Sequence, residues 1–104
     1  VGEYAKKGYI MDPNTATCMR AYKNLREKSL KTVVYSTAEW TKFSPTVSKA
    51  LGHEVKGDVE ALKWVSEHAN VSVPSMINSL FKKPVIHSVV VEKESIKKEM
   101  LDFL

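Results

Sequence analysis

Four prolines, at positions 13, 45, 74 and 84, set the limits on what this chain can build. Proline cannot continue a helix that it enters from within, and it has no N–H to give to a central strand. Spread over 104 residues, they punctuate the chain at four points. Two of them stand where a helix tolerates proline: Asp12-Pro13 puts a capping side chain before a first-turn proline, and Ser72-Val73-Pro74 repeats the device. Pro45 falls inside a run of helical spacing formed by Trp40, Phe43, Val47, Ala50 and Leu51, and must kink or split it. Pro84 forbids continuation of whatever precedes it.

The segments between these punctuation marks read as amphipathic helices. After Pro13, Cys18, Met19, Tyr22, Leu25 and Ser29 share one side, and Arg20, Lys23, Asn24, Glu27, Lys28 and Lys31 share the other. This predicts a helix with a basic outer face reaching residue 31, with Cys18 on the buried side as an inert small hydrophobe. Ser36 or Thr37 can cap the Trp40 helix and Gly52 stops it. Gly57-Asp58 opens the next helix, whose buried side carries Val59, Leu62, Val65 and Ala69, with Trp64 beside them. Another helix, capped by Ser72, runs through Met76, Ile77, Leu80 and Phe81. The tail Glu92–Leu104 spaces Ile96, Met100, Phe103 and Leu104 along one stripe that should pack or dimerise. Residues 32–35 and 85–91 are rich in β-branched side chains and are candidates to pair as a two-stranded sheet. Residues 1–11, with Gly2, Gly8 and no period, read as a flexible arm or linker. The fold class expected is mainly α with a minor β component: a compact bundle of about five short helices over residues 12–104, one domain.

Composition narrows the class. With 43% apolar and 27% charged residues, the chain matches a soluble globular protein and neither a disordered nor a collagen-like one. The single Cys18 cannot form an internal disulfide and fits a reducing compartment, no stretch approaches the ~20 apolar residues of a membrane span, and no signal pattern opens the chain. The expected location is intracellular, cytoplasmic or nuclear. A start at Val1 without methionine suggests an excerpt or a processed chain. The net charge of +4 is uneven: residues 1–56 hold 10 Lys/Arg against 5 Asp/Glu, and residues 57–104 hold 6 against 7. A basic first half mildly favours a polyanionic partner.

Residues 62–81 carry the most specific pattern. A helix-turn-helix needs small or apolar residues where its helices cross, a turn residue tolerant of left-handed backbone, and a cap for the second helix. Val65, Ala69, Asn70 in place of the usual glycine, Val71-Ser72 and Met76 supply these in order. The segment resembles the helix-turn-helix of the lactose-repressor type, with two departures: Ser66 stands where alanine is usual, and Ser79 stands at a normally apolar position next to Leu80. The resemblance implies a DNA-binding module in transcription regulation. Ser72, Val73, Ser75, Asn78 and Lys82 would then face the major groove, with Asn78 as base reader and Lys82 and Lys83 on the backbone. Arg20, Lys23, Lys28 and Lys31 on the first helix would grip phosphates, aided by Lys6 and Lys7 on the arm. The echo at Ser44–Gly52 lacks an upstream partner helix and reads as a capped core helix.

Catalytic patterns are sparse. His53, His68 and His87 keep no metal-ligand spacing with Cys18 or with one another, and neither a nucleophile elbow nor a phosphate-cradling glycine loop is present. The expectation is therefore no enzyme, no metal and no cofactor, with His68 at the surface and Trp40 and Trp64 at the core. The alternative to DNA binding is a protein-interaction module that docks a partner, or a second copy, through residues 92–104; a small enzyme or enzyme subunit is the third class.

Overall fold

Residues 1–104 are described by a computed structural model, in which the chain forms six α-helices, two 3₁₀ turns and no strand. The order is α1 Gly2–Ala5, α2 Pro13–Leu25, a 3₁₀ turn Trp40–Phe43, α3 Ser44–Ala50, α4 Asp58–Ala69, α5 Ser75–Leu80, a second 3₁₀ turn Lys93–Ser95, and α6 Ile96–Phe103. Pro13 occupies the first turn of α2, and Pro45 the first turn of α3, so the run from Trp40 is split into a 3₁₀ turn and a short helix. Pro74 itself sits at the N-cap of α5, displacing the cap expected at Ser72, and Glu39 rather than Ser36 or Thr37 precedes the Trp40 turn.

The core lies where α3 packs on α4. Ile10, Trp40, Val47, Leu62 and Val65 form it, and Val47, Ala61 and Val65 are sealed completely from solvent. Ile10 and Met11 are buried although they fall in the stretch expected as an arm, and Gly2–Ala5 is helical there, held to α2 by a Lys23–Glu3 ion pair of 2.5 Å. The arm is recruited because Ile10 supplies apolar area that the short helices alone lack.

Helices α3 and α4 end in the same way. The His53 N–H donates to the Ser48 carbonyl at 3.0 Å while the Ser48 hydroxyl donates to the His53 carbonyl at 2.5 Å. The Val71 N–H and the Ser66 hydroxyl repeat both bonds at the end of α4, at 3.0 and 2.5 Å. Each reversal needs one left-handed residue, Gly52 at φ 95° and Asn70 at φ 50°, which is the conformation expected of Asn70 from its place in the chain.

Three expectations are corrected here. The two-stranded sheet is absent: residues 32–35 and 85–91 lie in irregular chain and do not pair, because nothing in the fold brings them together. Helix α2 stops at Leu25, leaving Lys28 at a bend and Lys31 in irregular chain; past Leu25 the expected buried side continues only as Ser29, and a polar side chain gives a further turn nothing to pack. Cys18 is exposed rather than buried, on an open groove between α2 and residues 30–35. No helix is long and apolar enough to cross a membrane.

Candidate functional site

The most concentrated polar arrangement gathers at the head of α2. Asp12 is 1% exposed, yet its carboxylate is fully engaged. One oxygen accepts the N–H groups of Asn14 at 2.9 Å and Thr15 at 3.2 Å, which is the capping geometry expected of Asp12-Pro13. The other accepts the Thr15 hydroxyl in a short hydrogen bond and the Ser36 hydroxyl at 3.1 Å. Those two hydroxyls stand 3.2 Å apart. The Thr15 hydroxyl is the main influence holding the Asp12 carboxyl below its ordinary pKa; burial opposes it, and the Thr15 and Asn14 amides and the Ser36 hydroxyl reinforce it.

Ser36 lies 24 residues from Asp12 and opens the loop that leads into the buried Trp40 turn, so the cluster bolts that loop to the first turn of α2. Asp12 is legible in the sequence as a cap, and Thr15, three residues on, falls where a capping residue finds its return partner. Ser36 has no such local signature. A second feature that spacing alone does not predict is an aromatic stack: Trp64 is sandwiched between His53 and His68, with ring centroids 4.5 Å apart on each side and interplanar angles of 18° and 12°. The Trp64–His68 half is an i, i+4 pair on α4, and the reversal after α3 delivers His53 to the other face. Trp64 is half-buried at the core margin and Trp40 is buried.

The residues expected to grip DNA do not form one surface of that kind. Ser72 and Val73 lie in the link between α4 and α5, with Val73 packed against the core. Ser75 opens α5, and the Asn78 amide donates to the Val73 carbonyl at 3.4 Å. Lys82 and Lys83 follow the end of α5 as exposed side chains. Arg20 and Lys23 are exposed on α2, where Lys23 is paired with Glu3; the pairing raises the Lys23 pKa and lowers that of Glu3. Lys28 and Lys31 are exposed beyond the helix end. Helix α5 has only six residues, and the link before it spans residues 70–74, longer than the three or four of a helix-turn-helix turn.

Comparison with known proteins shows the family to which the chain belongs. A family model described as threonine synthase, C-terminal, matches residues 15–100, from the first turn of α2 into α6. Threonine synthase-like 1 of Mus musculus is 30% identical over 100 residues, covering 96% of this chain and 12% of that protein. The Pongo abelii and Homo sapiens proteins of the same name are 26% and 25% identical over 97 residues, covering 93% of this chain and 12% of each. The chain thus spans about 12% of the length of the curated relatives it matches. No solved structure gives a significant match. These findings overturn the lactose-repressor resemblance and with it DNA as partner, transcription regulation as role, and docking through residues 92–104 as the alternative function; the expectation of no enzyme gives way to an enzyme-related domain. A left-handed Asn70 between two helices is real, but two short helices joined by a turn recur in many folds and name no function. The chain belongs to the threonine synthase C-terminal family.

Proposed function

We propose that this chain is the C-terminal helical part of a threonine synthase-related enzyme, in which it braces the reacting site rather than supplying the groups that react. The observation that carries the reading is the family match over residues 15–100. A carboxylate that accepts four hydrogen bonds and is held below its ordinary pKa is a poor proton acceptor, so Asp12 is suited to holding geometry and unsuited to general-base work. The cluster holds the loop at Ser36 in one place, and a fixed loop is what a site built from several segments requires. The reaction implied by the relatives' name is the formation of threonine, and it belongs to the longer polypeptide.

The test is growth without threonine of a bacterium that lacks its own threonine synthase, supplied with the full-length polypeptide carrying this chain. Wild type should restore growth, Asp12→Asn should retain part of it through the remaining amide oxygen, and Asp12→Ala should lose most of it at equal protein level. A folded full-length protein that produces no threonine would sink the assigned reaction. Growth by a polypeptide deleted of residues 1–104 would sink the bracing role.

A further inference from the structure

Two stretches of this chain, residues 31–38 and 84–91, make no backbone–backbone hydrogen bond as donor or as acceptor. They include its most β-prone runs, Val33-Val34-Tyr35 and Val89-Val90-Val91. Neither belongs to a helix or strand, and most of their side chains are exposed, Tyr35 to 84% and Val90 to 94%, while Val34 is half-buried. The chain has 53 backbone–backbone hydrogen bonds, where a folded domain of this length carries about 70. Its accessible surface is 8809 Å², where a compact monomer of 11.7 kDa exposes about 5,900 Å². The excess, roughly 2,900 Å², exceeds the ~1,000–2,500 Å² that each side of a permanent interface commonly buries. Much of it falls in these unpaired residues and in the bare stripe of α6, where Phe103 is 89% exposed.

Apolar contact alone would cover the side chains and leave the amides and carbonyls without partners. Pairing as strands supplies both, because an added strand gains main-chain hydrogen bonds while its alternate side chains enter the partner's surface. The first stretch is already aimed: Ser36 at its end is fastened to Asp12, so residues 32–35 are presented from the head of α2. Most of a polypeptide like the relatives lies outside a segment of this size, since the chain spans 12% of their length.

We propose that residues 31–38 and 84–91 are strands of a sheet whose other strands belong to the remainder of the same polypeptide, and that this pairing is how the helical body is attached. The proposal rests on the reading of the chain as part of a longer enzyme. It is tested by hydrogen–deuterium exchange on the full-length polypeptide, which reports the pairing whether or not that protein forms threonine. The amides of residues 32–35 and 85–91 should exchange at least about 100-fold more slowly than in unstructured peptides of the same sequence, independently of protein concentration. Exchange at the unstructured rate would overturn the proposal. Protection that rises with protein concentration would also overturn it, by assigning the partner strand to a second copy. Val34→Pro, which removes one donor, should free residues 31–38 while 85–91 and the amides of α4 stay protected. Loss of protection in 31–38 and 85–91 together, with α4 still protected, would mean that the two stretches pair with each other and would overturn it.

Discussion

Asp12 does at the residue scale what no helix in this chain could do alone: it ends one local structure and holds a segment 24 residues away. Replacing it with alanine should cost about 1–2 kcal/mol, the range for losing an N-cap, read from the urea midpoint. Its folded pKa lies below the unfolded value, chiefly through the Thr15 hydroxyl, so the ionised carboxylate contributes stability above the unfolded pKa and loses it as pH falls through the folded one. The difference in midpoint between wild type and Asp12→Asn should therefore hold near neutrality and shrink below about pH 4, the ordinary range of aspartate. Thr41 is the opposite case, since its hydroxyl is buried without a hydrogen-bond partner. Thr41→Val keeps the shape and removes the stranded group, and should leave stability unchanged or raise it by up to about 1 kcal/mol. A drop of that size in the same measurement would show that the hydroxyl has a partner after all.

At the scale of the element, the ends of α3 and α4 share one solution, a serine hydroxyl closing the reversal and a left-handed residue permitting it. Asn70→Gly should be neutral or slightly stabilising, whereas Asn70→Ala should cost about 1 kcal/mol because its Cβ is strained at positive φ. Ser66→Ala should cost about 1 kcal/mol as well, the net worth of one hydrogen bond, and both are measured by thermal or urea unfolding. These features were legible: proline positions, the Asp12 cap and the turn at Asn70 each follow from residues within four or five of one another. Helix length was not. The periodic pattern of α2 continues to residue 31, yet the helix ends at Leu25, because past Leu25 its inner side continues only as Ser29, and a polar side chain gives a further turn nothing to pack.

The whole molecule is thinly covered for its size. Only 12 of 104 residues are buried, and the radius of gyration of 18.2 Å exceeds the ~13 Å of a compact domain of this length; beyond Ile77, the last side chain packed against the core, nearly every residue is exposed. Each sealed side chain therefore carries a large share of the stability, and Val65→Ala should cost about 2 kcal/mol, against the ~5–15 kcal/mol that folded domains possess in total. Calorimetry of that variant checks it; a loss under 0.5 kcal/mol, about the low end for deleting one buried methylene, would mean that the α3–α4 contact is not the centre of the fold.

What the amino-acid order determined by itself was local conformation: where helices start, where they break, which residue takes a left-handed turn, and which runs favour extended chain. Those outcomes depend on sterics and hydrogen bonds between near neighbours, which any copy of the sequence carries with it. Tertiary structure decided the rest. It chose Ile10 for the core over Cys18, brought Ser36 to Asp12 and His53 to Trp64, and left the two β-prone runs unpaired, because burial and long-range pairing need surfaces that exist only once distant segments have met.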